Sequence, residues 1–437
     1  MTQIATQPAA PAPPQQGLAG GTAAQRRALA RRHYFTGTPG RMRIASAVAA
    51  ALCVAFALAG FLGLRGVDGA VDRASANTEQ VVRVRAIYAD LLAADAAVTN
   101  GFLKGGQERA ENRKTYDDAM QRVATNIAAA ASAQPADGKA LAVLNAEVQA
   151  YAGNVDRART YNREAKPVGA QYLRIAGTEL RAEGLPIANA IAEANQTRAD
   201  QELKLSGYSG LVVGVGVLTL GVLAAIAIWL ARRTHRYLNV PLSAALLLVA
   251  TALAMSISHI AQVSSTMNKV ADGDYRAAVS LAQARAAAYD AKANESLTLI
   301  ARGSGAAYEK AYDASVALAS QQLDDLLQAD PAQNNLRRTF AAYTDTHQAI
   351  RTADDGGDWN EAVDLATTPD TETASSNGAF RAFSTAADGV LDAKLKSIVA
   401  AFDRIGGGLL PLLVGLGAAL AALLAGRAMS KRIEEFR

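Results

Sequence analysis

An all-α membrane protein is predicted by three features of this 437-residue sequence. It has four long uncharged apolar runs, two intervening stretches of near-equal length whose apolar residues recur at steps of three and four, and no comparable stretch that alternates with period two. The expected architecture is four transmembrane helices with two extracytoplasmic four-helix-bundle domains in tandem, a duplicated unit of span, bundle and span.

A bilayer core of ~30 Å needs about 20 largely apolar helical residues. Four runs qualify: 44–64 (IASAVAAALCVAFALAGFLGL), 211–231 (LVVGVGVLTLGVLAAIAIWLA), 240–257 (VPLSAALLLVATALAMSI) and 406–426 (GGGLLPLLVGLGAALAALLAG). Glycine and proline inside them are tolerable where neighbouring helices re-satisfy the backbone. Pro241 lies near the start of its span, where it costs least.

Orientation follows from the basic residues. The 1–43 segment has six arginines and no acid, the 232–239 hairpin has three arginines, and the 427–437 tail has four basic and two acidic residues. Of the chain's 44 basic and 40 acidic residues, 13 and 2 fall in these short segments, leaving 31 basic against 38 acidic elsewhere. Positive-inside bias therefore places both termini and the hairpin in the cytoplasm, with 65–210 and 258–405 outside the cytoplasmic membrane. The basic pI is thus an orientation signal, and no nucleic acid is needed to explain it. A cleaved signal peptide is the alternative for the first run, but the run is too long for an h-region and no small-residue cleavage site follows in RGVDGAVDR. The Pro, Gln, Ala and Gly content of TQPAAPAPPQQGLAGG fits a disordered tail better than a transit peptide.

Each outer stretch carries the stripes of packed helices: Tyr116, Met120, Val123 and Ile127, then Leu141, Leu144, Val148, Tyr151 and Val155 in the first. In the second they are Tyr312, Val316, Ala319, Leu323 and Leu326, then Leu336, Phe340, Tyr343, His347 and Ile350, then Leu391, Leu395, Ile398, Phe402 and Ile405. Breakers near Gly105, Pro135 and Pro167, and near Gly303, Pro331 and Gly356, cut each stretch into four helices. Soft points are expected at Gly184–Pro186 and Gly406–Gly408, and WNEAVDLAT from Trp359 reads as a short helix sealing the bundle's end. A Tyr-Asp pair recurs at Tyr116-Asp117 and Tyr312-Asp313 after a basic residue and glycine, an echo of the duplication.

Catalytic signatures are missing. Cys53, the single cysteine, lies within the first span, which leaves the outer domains without disulfides, thiolate catalysis or Cys-based metal sites. His33, His235, His259 and His347 are scattered, with no pair at ligand spacing. His347 takes a core-facing place, and His259 an interfacial one. TADDGGDWN tempts towards calcium, but its spacing is not that of an EF-hand loop. No P-loop, dinucleotide or hydrolase motif is present. No enzyme, cofactor or metal is expected, and the uncharged spans disfavour a transporter or channel. Cytoplasmic material is too short to form a core, so a signal to the interior must pass through a partner or through the basic helix ends.

The order of span, outer domain, span, arginine hairpin, span, outer domain and span, with ANESLTLIARGSG (293–305) and GDWNEAV (357–363), resembles the GlnX-type membrane proteins of actinobacteria. Each outer domain is also similar to the four-helix-bundle ligand domains of chemoreceptors, although no HAMP linker follows the second or fourth span. The GlnX resemblance implies a relay: a GlnH-like extracytoplasmic solute-binding lipoprotein senses aspartate or glutamate, and a PknG-like cytoplasmic Ser/Thr kinase receives the signal. Expected inner contacts, to a partner or to membrane lipids, are Arg232, Arg233, Arg236, Arg427, Lys431 and Arg432. Expected outer contacts are the turns Lys104, Gly105, Gly106 and Arg302, Gly303, Ser304. A direct small-molecule sensor and a non-signalling envelope scaffold are the alternatives, and the pattern leaves room for a homo-oligomer.

Overall fold

The computed structural model describes residues 37–203, 208–234, 239–368, 375–406 and 408–428, and among them there is no strand. Among the described residues thirteen α-helices follow one another. They are α1 (Gly37–Phe102), α2 (Ala110–Ala133), α3 (Gly138–Arg163), α4 (Val168–Glu179), α5 (Leu185–Glu202), α6 (Tyr208–Thr234) and α7 (Val240–Val270). Then come α8 (Arg276–Ile300), α9 (Ala306–Ala329), α10 (Asn334–Asp355), α11 (Trp359–Thr367), α12 (Ser376–Asp403) and α13 (Leu410–Ala428). π-helical turns at Leu180–Gly184 and Ala271–Tyr275 join α4 to α5 and α7 to α8 without ending the helical path. Among the described residues four helices are long and apolar enough to cross a membrane: Gly40–Phe102, Ser209–Arg233, Val240–Ile300 and Leu410–Ala428.

The described residues divide into two compact units, one within 1–61, 212–255 and 412–437, the other within 62–211 and 256–411. In the apolar unit, small residues set the packing, as they do wherever lipid removes the hydrophobic drive between helices. A Cβ on Gly216 would stand 2.6 Å from Leu253 Cδ1 and 2.8 Å from Phe56 Cε2, so only glycine admits that approach. Hydroxyls tie helices to one another's backbone: Ser46 Oγ donates to Gly426 O at 3.2 Å, and Thr219 Oγ1 to Leu52 O at 3.2 Å. Leu58, Leu247 and Leu423 face outward, more than half exposed, as lipid-facing residues do.

In the larger unit the breaks between helices coincide with the Gly and Pro signals. Gly105 and Gly106 adopt φ of 63° and 71° after α1, and short 3-10 turns at Pro135–Asp137 and Pro331–Gln333 link α2 to α3 and α9 to α10. The buried positions repeat with the same spacing in the two halves. Tyr116, Ala119, Val123, Ile127 and Ala130 on α2 match Tyr312, Ser315, Ala319, Leu323 and Leu326 on α9. Leu144, Val148, Tyr151, Val155 and Ala158 on α3 likewise match Leu336, Phe340, Tyr343, His347 and Ile350 on α10. Equivalent tyrosines meet in each half, with ring centroids 6.5 Å apart for Tyr116 and Tyr151 and 6.2 Å for Tyr312 and Tyr343. Met120 and Val316 are only partly buried, while Ala119 and Ser315 take the inner places.

Two separate outer domains, 65–210 and 258–405, were expected; the two segments instead form one unit with shared cores. Val67, Val71, Val81 and Leu203 pack in one cluster with Tyr312, Phe340 and Phe383, and Ala286 joins the cluster of Leu91, Leu144 and Tyr151. The cause is composition. Residues 89–102 of α1 are all buried, and 277–299 of α8 are buried save Gln283, Tyr289 and Asp290, which are partly so. Alanine-rich helices have no bulky stripe to mark one inward face, and both are enclosed by neighbours from either segment.

In the apolar unit, Gly216→Ala should cost about 1–3 kcal/mol, because the added methyl meets Leu253 and Phe56. Gly221→Ala, in the same helix with nothing within 4 Å of the new Cβ, should leave the melting temperature unchanged. Thermal unfolding in detergent compares the two, and equal effects would refute this packing.

Candidate functional site

Burial of α1 and α8 on all sides places their charged residues inside the larger unit, where an unpaired charge is costly. Two polar seams result, both joining the segment before α6 to the segment after it. In the first, Arg285 of α8 lies 3.4 Å from Asp90 of α1 and 2.8 Å from Asp388 of α12, and Arg122 of α2 reaches Asp90 at 3.0 Å. In the second, Arg181 in the π-helical turn donates through Nη1 to Asp95 Oδ2 at 2.8 Å and through Nη2 to Asp290 Oδ1 at 2.7 Å. Tyr151 Oη adds a bond to Asp95 at 3.3 Å, and Ser315 Oγ donates to Asp290 Oδ2 at 2.7 Å. Burial works against the Arg181 charge, but the two carboxylates outweigh it and raise its pKa. The turn thus stands where a widened helical ring aims a side chain at both segments, a common setting for π-turns.

A third cluster lies in the core of the second segment. Glu295, fully buried, accepts from Lys292 Nζ at 2.6 Å and from Ser376 Oγ at 2.8 Å, and pairs with His347 Nδ1 at 3.1 Å. His347 Nε2 meets Glu309 at 3.1 Å, and the imidazole stacks on Tyr312 with centroids 3.5 Å apart. Burial alone would raise the Glu295 pKa, yet the Lys292 charge and the His347 hydrogen bond bring it down to about 2. Burial opposes a charged His347, but the two glutamates outweigh it and raise the imidazole pKa. His347 occupies the core place its spacing predicted, although Glu295 and Lys292 gave no periodic signal within an alanine-rich run.

The expected outer contacts, Lys104, Gly105, Gly106, Arg302, Gly303 and Ser304, are brought to one end of the larger unit, where the side chains of Lys104 and Arg302 meet α11. Lys104 pairs with Asp364 of α11 at 3.0 Å, and the Arg302 guanidinium lies 3.9 Å from the Trp359 ring centroid. Trp359 Nε1 donates to Leu299 O at 2.9 Å, so α11 covers the end as its sequence suggested. The carboxylates of the TADDGGDWN run are committed: Asp354 and Asp355 to Arg351, and Asp358 to the α11 N-cap, accepting from Glu361 N. Of the expected inner contacts, Arg232 and Arg233 are exposed in the last turn of α6 and Arg427 is exposed in the last turn of α13. Arg236, Lys431 and Arg432 lie outside the described residues. Missed by sequence reasoning were Asp90, Asp95, Arg181, Arg285 and Asp290. The available signal was charge at every turn of helices too alanine-rich to leave one face to solvent.

Removing the cation from the second seam, as Arg181→Met, should destabilise by about 3–5 kcal/mol, because Asp95 would be left buried and charged. Adding Asp95→Asn should recover part of that loss, and strictly additive unfolding free energies would show that the pair is not coupled. A second prediction concerns pH. The stability owed to charged His347 is full below its unfolded pKa of 6.5 and is lost as pH rises through its higher folded value. That owed to Glu295 is full above 4.5 and is lost as pH falls toward about 2. Melting temperature against pH should therefore decline on the alkaline side in the parent protein and less so in His347→Gln; parallel curves would refute the assignment.

Comparison with known proteins bears on this unit. Residues 70–204, from α1 through α5, match the family model of an actinobacterial sensor domain. No curated protein and no solved structure matches the chain. The first inter-span segment is therefore similar to an actinobacterial sensor domain and the four apolar helices fit a multi-pass membrane protein, which together support an actinobacterial sensor-type membrane protein with a sensing or signalling role.

Proposed function

We propose that the protein is a non-enzymatic transmembrane signal relay. Its larger helical unit faces outward from the cytoplasmic membrane, and both termini and the 232–239 hairpin face the cytoplasm. It passes the state of a GlnH-like aspartate- or glutamate-binding lipoprotein to a PknG-like cytoplasmic Ser/Thr kinase. The observation that carries the sensing part is the sensor-domain match over 70–204. Support for transmission comes from α1, one uninterrupted helix that holds both the apolar run 44–64 and Asp90 and Asp95 of the seams. A bound partner that favours one arrangement of the seams would shift the population of helix positions by its differential affinity for the two states. The orientation rests on the basic residues of the short segments, and the partners rest on the family resemblance.

Two measurements test this reading. An impermeant maleimide on intact cells should label Ser304→Cys but reach Arg233→Cys only after permeabilisation, and the reverse pattern would invert the topology. Charge reversal at Arg232 and Arg233 should reduce recovery of the kinase with the solubilised protein, whereas unchanged recovery would remove these residues from the relay.

A further inference from the structure

Among the described residues, the larger unit pairs its buried guanidiniums with carboxylates, with one exception. Arg159 holds Glu108 at 2.8 Å, and Arg285 holds Asp388 at 2.8 Å and Asp90 at 3.4 Å. Arg85 of α1 is 8 % exposed, yet no carboxylate among the described residues lies within 4.0 Å of it. Its Nη1 donates to the neutral Asn189 Oδ1 at 2.7 Å, and its buried Nε has no partner. Asn189 passes its own amide hydrogen to Glu193 at 2.7 Å, so the counter-charge that Arg85 feels is held one residue away. Burial lowers the Arg85 pKa and the more distant Glu193 only partly offsets it.

Beside this guanidinium is a cavity of about 270 Å³ between α1, α5, α8 and α9, contributed by both segments. Its polar lining includes Arg85, Asn189, Gln283, Asp290 and Ser315, and Leu318 is among its apolar residues. Among the described residues the Gln283 side chain makes no hydrogen bond, which leaves an amide to meet a ligand. Asp290 is saturated by Arg181, Asn294 and Ser315, so its charge is spent within the protein. The size lies just below the roughly 300 to 1,000 Å³ of pockets for drug-sized molecules, which limits the occupant to a smaller one.

We propose that this cavity binds a small carboxylate, whose anionic group takes the position opposite Arg85 that Asp and Glu side chains fill at the other buried arginines. A planar guanidinium with unused N–H groups fits a carboxylate in two-point geometry. Alanine and leucine walls disfavour a compact dianion such as phosphate. The site joins the two segments, so an occupant would bear on the same contact as the Arg181 seam. The inference stands apart from the relay reading, since it assigns a ligand to this chain rather than to a lipoprotein.

The test uses the full-length protein in nanodiscs, with calorimetry against propionate, L-alanine, L-glutamate, propionamide and inorganic phosphate. At least one of the three carboxylates should bind, and propionamide should not. Binding of L-alanine or L-glutamate without propionate supports the site and adds a requirement for the ammonium group; propionate binding supports it without that requirement. Arg85→Gln should weaken binding about tenfold or more. Because that variant strips a buried group and can compromise folding, Leu318→Glu gives an independent reading: the residue is 49 % exposed, so the new charge should weaken carboxylate binding several-fold without moving the unliganded melting temperature. The proposal is overturned if none of the carboxylates binds at about 10 mM, if phosphate binds more tightly than all of them, or if Leu318→Glu folds and binds as the parent does.

Discussion

Enclosure of two alanine-rich helices on every side is the constraint on which the larger unit depends. The short side chains of 89–102 and 277–299 let neighbours approach closely, so these helices can lie at the centre of a packed unit rather than present one face to solvent. The same enclosure buries their aspartates, arginines, lysine and glutamate. A buried charge left without its opposite costs several kcal/mol, while a well-placed pair only roughly recovers its desolvation. The seams therefore contribute little net stability but discriminate strongly among registers. A shift of α8 by one turn against α1 would part Arg285 from Asp90 and Asp290 from Arg181, and apolar packing alone would resist such a shift weakly, since alanine follows alanine along both helices.

This arrangement bears on sensing. Apolar helix contacts are tolerant of small slides, whereas bidentate and shared ion pairs hold or break. Arg181 makes that property local: one guanidinium, on a π-helical turn, bonds a carboxylate of each segment. The turn itself carries an extra residue's worth of helical slack, so α4 and α5 can adjust about it at lower cost than a regular helix would allow. The buried Lys292, Glu295, Ser376 and His347 cluster has a different character. It lies within one segment, is sealed beneath Tyr312 and Tyr343, and reads as a rigid polar core.

The internal repeat shows where the two halves have diverged. Their tyrosine pairs and the spacing of buried residues agree, but the place of Val155 in the first half is taken by His347 in the second. Around His347 stand Glu295 and Glu309, whereas the first segment places its buried charges elsewhere, in the Arg159–Glu108 pair and in Asp95 beside Tyr151.

Much of the protein could be read from the chain. Apolar run length marks the spans, and steps of three and four with Gly and Pro punctuation mark the helices, because both are local consequences of bilayer thickness and of 3.6 residues per turn. His347 and α11 were legible for the same reason: a core place and a cap signal are properties of neighbouring residues. The union of the two segments, the partners of Asp90, Asp95 and Arg181, the commitment of Lys104 and Arg302 to α11, and the unpaired Arg85 were decided only by tertiary packing. A charge states in sequence that it needs a partner or water, but which it obtains depends on distant residues, such as Thr367, whose carbonyl meets Arg109 from 258 positions away, and on which helix faces are closed, and alanine-rich helices carry no stripe to say so.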